Sequence, residues 1–272
     1  RDVILTEGEW YYGTDDQERG AELIFSHWSD PAQFSIGKSL LLKKEKELLQ
    51  SVTKKIPTVC KAYEAYLPAM HLAYLPEPLV TKTVRSLLLK KLSSSETEQL
   101  MSDLNVPIQD NYYKREEYGL ITTTDLAKHV KKYEWINSRY GERHPYTIEQ
   151  ARHKLSCINK TAFLKKRTEE KRQLRQRIAY AKKILGKDAH YIDFMQFIIF
   201  YRTHRTDTLF KALYYFIPSL EQLAQRKRIT YQQLLYCTKE ELLQHIPTSS
   251  ILAERMKNFT LLSESTWPGR RK

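Results

Sequence analysis

A chain of 272 residues suits one large domain or two small ones, at roughly 150 residues per domain. Hydrophobic residues make up 41% of it, enough for a real core and against wholesale disorder, while 8 glycines and 10 prolines are too few for the tight turns of a β-sandwich or a nucleotide-binding α/β sheet. The formal charge of +13 favours anionic partners such as nucleic acid, phosphorylated ligands or an acidic protein face, although lysine-rich helices also carry such charge as solvated faces.

In chain order, Val3 to Tyr12 reads as a small β-hairpin, with β-formers on either side of Glu7-Gly8. Thr14 and Gln17 form a capping-box pattern that opens a short helix bearing Leu23, Ile24, Phe25 and Trp28, and Asp30-Pro31 breaks it. Ile36 to Ser51 is a lysine-rich amphipathic helix in which Leu40, Leu41, Glu45, Leu48 and Leu49 recur at helical spacing. After Pro57 a second helix carries Tyr63 and Tyr66, is expected to kink at Pro68, and ends at Pro76 and Pro78. Further helices are predicted over Thr81–Leu92, from Ser94 to Leu104, around Tyr112 to Leu120, after Thr124 or Asp125, and from Thr147. Asn105–Asp110 and Arg139–Pro145 fall between them as a loop and a turn.

The longest helix-periodic run extends from Asn159 to Arg226, basic in its first half and aromatic in its second. Leu174, Ile178, Ala181 and Leu185 make a seam at alternating four- and three-residue spacing. Gly186 stops the first helix, and an aromatic helix with Phe194, Ile198, Tyr201, Leu209, Leu213 and Phe216 follows, with a kink expected near Pro218. Two long helices joined by a short turn are expected to pack antiparallel. Short helices around Leu234, Leu242 and Ile251-Leu252 complete the chain.

Cys60, Cys157 and Cys237 are far apart and fit neither a zinc site nor a disulfide framework, so free buried thiols in a reducing cytoplasm are expected. No apolar stretch approaches the roughly 18 residues that a membrane span needs. The chain opens on Arg1 and is expected to be a piece of a longer product. Phosphate-cradling glycine loops, a GxSxG elbow and an HExxH pair are all missing. His129, His144 and His153 lie near Glu134 and Glu142, but their irregular spacing across a turn fits ordinary histidines better than metal ligands.

The candidate anion or interaction patch is Arg202, His204, Arg205 and Lys211. His204 between two arginines could titrate within a phosphate-binding patch, against the plainer reading of a helix-surface residue in a basic turn. Asp207 is expected to pair locally with Arg202 or Lys211. The basic stretch Lys165–Lys183 could bind nucleic acid, but Glu169 and Glu170 interrupt it and its aromatics lie on the next helix, so a solvated face is favoured.

Several stretches, in order, resemble one family. His129-Val130-Lys131-Lys132-Tyr133-Glu134-Trp135-Ile136 followed by Thr147-Ile148-Glu149 is similar to a recurrent segment of phosphoenolpyruvate-synthase-like proteins. Phe200-Tyr201-Arg202-Thr203-His204-Arg205, Leu220-Glu221-Gln222-Leu223-Ala224, the run Leu234 to Leu243 and Ile251-Leu252-Ala253-Glu254-Arg255 follow. The similarity covers nearly the whole chain and rests on the order of the segments. It implies the helical middle region of a PEP-utilising phosphotransferase such as phosphoenolpyruvate synthase, pyruvate phosphate dikinase or rifampicin phosphotransferase. An ATP-grasp domain and a phosphohistidine domain of the same parent protein would do the chemistry, with ATP and magnesium. Neither active part is visible in this sequence, so no catalytic, cofactor-binding or metal-binding residue is carried over.

The expectation is thus a mainly α, irregular multi-helix array over residues 1–272. It comprises a β-hairpin and short helix (1–30), a helical array (36–157), and a long antiparallel helical hairpin with terminal helices (159–263). Expected of it are a cytoplasmic location and a linker or scaffold role in such a parent, with no catalysis of its own. A basic helical nucleic-acid-binding module and a helical protein–protein adaptor are the alternatives.

Overall fold

The computed structural model describes residues 3–6, 9–11, 14–72, 74–139, 141–257 and 260–263. The expected hairpin turn at Glu7-Gly8, and Tyr12, lie outside them, as do the side chains of the Thr14–Gln17 capping pattern at Thr14. The described chain is mainly helical. Among the described residues, no helix is long and apolar enough to cross a membrane.

The helices are α1 (Thr14–Trp28), α2 (Pro31–Ser51), α3 (Ile56–Leu72), α4 (Glu77–Leu89), α5 (Ser94–Leu104), α6 (Tyr112–Thr122), α7 (Leu126–Tyr133), α8 (Ile148–Ser156), α9 (Lys160–Leu185) and α10 (His190–Lys227). The short α11 (Tyr231–Leu234), α12 (Lys239–Leu243) and α13 (Ser249–Lys257) follow. Strands β1 (Val3–Thr6), β2 (Glu9–Tyr11) and β3 (Thr260–Ser263) form an antiparallel sheet in the order β2-β1-β3, in which Val3 pairs with Ser263 and Thr6 with Glu9 and Thr260.

Helices α1 and α3 end before the prolines expected to break them, and two of those prolines, Pro31 and Pro78, also start the next helix. Asp30 caps α2, its carboxylate accepting the N–H groups of Ala32 at 2.8 Å and Gln33 at 2.9 Å, with Pro31 in the first turn. Proline lacks the N–H that would be orphaned there anyway, and its fixed φ suits a helix start. Pro78 does the same for α4, which begins four residues before the expected Thr81. Pro68 and Pro218 sit inside α3 and α10, each of which continues past its proline.

Helix α10 is the axis of the fold. From Ile192 to Ile217 its buried residues point in all directions, the pattern of a helix enclosed by others. Its N-terminal half meets α2, α3, α4 and α5 through Phe194, Ile198 and Tyr201. Phe210 and Tyr214 then join Val130, Tyr133, Trp135 and Ile136 beside α7 and α8. Phe216, Leu220 and Ala224 end in a third cluster with Val59 and Leu234.

The close antiparallel pairing expected of α9 and α10 is not what the contacts give: α9 packs more on α5 than on α10. Only the last turns of α9 are buried, at Ala181 and Leu185, while Leu174 and Ile178 are half-buried. An apolar stripe that short cannot seat a helix along its whole length against a partner. Gly186 ends α9 with φ 59°, a left-handed conformation that glycine adopts without a Cβ penalty.

Gly37 marks the tightest approach between α1 and α2. A Cβ there would lie 2.5–2.8 Å from three atoms of the buried Trp28 indole. Gly37→Ala is therefore expected to destabilise the protein by about 1–3 kcal/mol despite alanine's better helix propensity. Gly20→Ala, whose Cβ would meet Leu75 at 3.4 Å, is expected to be neutral or mildly stabilising. Urea denaturation of the two variants checks the contrast.

Candidate functional site

The largest concentration of buried polar side chains lies on the 201–211 stretch of α10 and the helices around it. His204, Asp207 and Thr208 are buried on α10, and Glu45 is buried on α2. The His204 Nε2 contacts both Glu45 carboxylate oxygens, at 2.9 and 3.0 Å. The tautomer that donates from Nε2 satisfies this pair and leaves Nδ1 as an acceptor. That Nδ1 is buried without a partner among the described residues. The imidazole is sandwiched by Tyr112 (centroids 5.0 Å apart, planes at 10°) and Phe200 (4.7 Å, 24°).

Around this pair the chain adds further polar groups. The Tyr66 hydroxyl, on α3, donates to the Arg205 carbonyl at 3.1 Å, closing α3 onto α10. Burial raises the Tyr66 and Tyr201 hydroxyls far above the ordinary tyrosine range and pushes Tyr112 up to about 12. Tyr201 and Thr208 are electrostatic neighbours of Tyr66, yet their hydroxyls form no hydrogen bond of good geometry. Burial pushes the Asp207 carboxyl up to about 6, against the pull of the Tyr112 backbone N–H, His204 and Arg139. Burial lowers the Lys211 ammonium, which lies 5.2 Å over the Tyr112 ring.

The four residues of the expected patch thus separate. His204 is not a helix-surface residue; it is buried against Glu45. Lys211 shares the Tyr112 side of α10 with it. Arg202 and Arg205 instead line a pocket beside α4, where Arg202 pairs with Glu77 at 2.6 Å and Arg205 lies 4.6 Å over the Tyr74 ring. The local ion pair expected of Asp207 with Arg202 or Lys211 does not form, because Asp207 points into the core.

The histidines of the other expected cluster also part company. His129 is buried and meets Glu116 at 3.4 Å, and burial lowers its pKa. His144 contacts Glu142 on the surface at 3.0 Å, and Glu134 is held by Lys131. Glu116, which was not singled out in the sequence, is among the most deeply buried carboxylates and also receives Lys154 at 2.6 Å. Among the described residues no group of three or more His, Cys, Asp or Glu side chains is placed to hold a metal ion.

Chemically, the centre on α10 can hold protons and join helices, but His204 is closed off by aromatic rings on both faces. It behaves as a polar lock among α2, α3, α6 and α10. A sequence signal for it existed: Glu45 falls within the apolar recurrence of α2, and His204 lies four residues after Phe200 and five before Leu209. A charge on an apolar helical face implies a buried partner elsewhere.

Glu45→Ala strands the His204 donor and is expected to cost about 1–3 kcal/mol, whereas Glu45→Gln keeps an acceptor and is expected to cost less; urea denaturation ranks the two. For Asp207 the folded-state pKa lies above the unfolded one, so the folded protein holds the proton more tightly. Stability is then expected to fall as pH rises through about 4 to 6, as the unfolded chain and then the folded one ionise, with the desolvation penalty fully present above that window. Asp207→Asn is expected to flatten this part of the pH–stability curve and to raise stability near neutrality by an amount on the order of 2 kcal/mol. Comparison of the chain with protein-family models, curated proteins and solved structures finds no match.

Proposed function

We propose that this chain is a helical scaffold or linker region of a phosphoenolpyruvate-synthase-like phosphotransferase. In that reading, ATP-grasp and phosphohistidine domains of the same parent protein carry out ATP- and magnesium-dependent phosphoryl transfer, and this region sets their positions or walls the substrate cavity. Helix α10 and the helices packed around it are its frame.

The observation that carries the proposal is what the family-like segments do. His129, Val130, Tyr133, Trp135 and Ile136 are buried, and the last four pack with Phe210 and Tyr214 of α10. In the second segment Phe200, Tyr201 and His204 are buried as well. Segments whose apolar and aromatic residues are spent on helix packing fit a scaffold better than an active site.

The nucleic-acid alternative is disfavoured by how the charge of α9 is used. Arg167 and Lys171 both bind Asp110, Arg177 reaches Asp103 at 3.4 Å, and Arg172 pairs with Glu169 at 2.6 Å. Cations neutralised by the protein's own carboxylates release fewer counterions on meeting a phosphate backbone. The adaptor alternative draws on exposed apolar side chains, of which Ile36 and Leu40 lie one turn apart on α2, while Leu89, Tyr118 and Tyr180 lie on three separate helices.

The purified chain is expected neither to hydrolyse ATP nor to acquire an acid-labile phosphohistidine when incubated with radiolabelled ATP and magnesium. Turnover or stable labelling by the chain alone contradicts a scaffold role. A gel-shift titration with RNA and DNA at physiological ionic strength is expected to show no salt-dependent complex.

A further inference from the structure

The pocket between the start of α4 and the outer face of α10 is separate from the buried Glu45–His204 centre. Its volume is about 860 Å³, and its charged lining consists of Lys82, Arg85, Arg202 and Arg205 against the single carboxylate of Glu77. Four cations facing one another across a concave space repel unless an anion lies among them.

The four are committed to different degrees. Arg202 binds Glu77 at 2.6 Å, so a carboxylate from the protein already sits on one cation. Arg85 reaches Glu98 at 3.2 Å, but both side chains are about half exposed, and such a pair is weak enough to rearrange. Lys82 makes no ion pair among the described residues. Arg205 is held in place by its stack on Tyr74, and its Nε is buried with no hydrogen-bond partner. A buried guanidinium N–H without an acceptor is costly, and an oxyanion that reached it would satisfy it at the moment of binding.

We propose that this pocket is a binding site for a small phosphomonoester, with Arg205 and Lys82 as its principal anchors and Arg202 and Arg85 completing the charge. Guanidinium forks match the oxygens of a phosphate group, and Lys82 supplies a point charge. Four cations against Glu77 leave a surplus of three, or two when Glu98 on Arg85 is counted, and a dianion suits either better than a monocarboxylate. Convergence of the four cations on one pocket favours a small phosphorylated molecule over a polymer, because an extended nucleic-acid backbone requires a continuous basic track. The proposal stands on the chemistry of the pocket and does not depend on the phosphotransferase reading.

Isothermal titration of the full chain with inorganic phosphate, against chloride at matched ionic strength, provides the test. Saturable phosphate binding is expected, weakened at least threefold by Lys82→Gln and at least tenfold by the double substitution Arg202→Gln/Arg205→Gln. Lys187→Gln, on the turn after α9 and away from the pocket, is expected to bind as the parent does. Because Arg205 is half-buried, the exposed Lys82 variant keeps the test decisive if the double variant folds poorly. Phosphate heats no larger than those of chloride overturn the proposal, as does Lys82→Gln binding with unchanged affinity. A single-stranded oligonucleotide lacking terminal phosphates that displaces phosphate from the pocket overturns the assignment to a small phosphomonoester.

Discussion

Everything in this fold depends on the enclosure of α10. A helix buried over most of its circumference needs its neighbours to supply matching surfaces, and here the neighbours are helices contributed by much of the chain. The hydrophobic contribution is large: fully burying a single Leu, Ile or Phe side chain is worth roughly 1.5–3 kcal/mol, and α10 buries many of them in succession. Enclosure also brings a constraint. Polar residues on such a helix cannot turn to water, so Gln196, His204 and Asp207 must find partners inside or remain unsatisfied.

The solutions differ along the helix. Gln196 is met by backbone: its amide donates to the Leu104 carbonyl at 2.6 Å and accepts the Ile108 N–H at 2.9 Å, tying the loop after α5 to the axis. His204 is met by a carboxylate from a distant helix, so the register of α2 against α10 is fixed by a polar contact as well as by shape. Asp207 is only partly met, and its carboxyl is correspondingly disposed to stay protonated. Along one helix the interior runs from fully satisfied to strained polar burial. Buried polar contacts of this kind favour one packing arrangement over its near neighbours, whatever their net contribution to stability.

How much of this was legible in the sequence follows from which interactions are local. Helix periodicity and caps act within a few residues, so the mainly helical class and most helices could be read directly. Thr147 opens α8 as expected, in a capping box with Gln150, and α5 is capped by Ser93 with Glu96, one residue before the expected Ser94. The helices before Asp30-Pro31 and Pro76–Pro78 do end there, but α2 and α4 start at Pro31 and Glu77, ahead of the expected Ile36 and Thr81, because proline's fixed φ also suits a first helical turn. The close α9–α10 pairing failed for a different reason. A short turn makes two helices neighbours, but whether they pack along their length depends on how wide an apolar stripe each offers, and α10 had stronger claims from α2 and α4. Arg202, His204, Arg205 and Lys211 were grouped by adjacency in sequence. On a helix that adjacency spreads side chains around the axis, and the fold assigned two to a basic pocket and two to the interior.

The three-stranded sheet bears on the order in which the molecule assembles. β1 and β3 are paired although nearly the whole chain lies between them. Closing so long a loop in an unfolded chain is entropically unfavourable, and backbone bonds between two four-residue strands return little against it. Once the helices have collected around α10, the two ends are already held near each other and the closure is a short local step. Helices made of local contacts therefore form first and the sheet last, as a latch on a body that is already built.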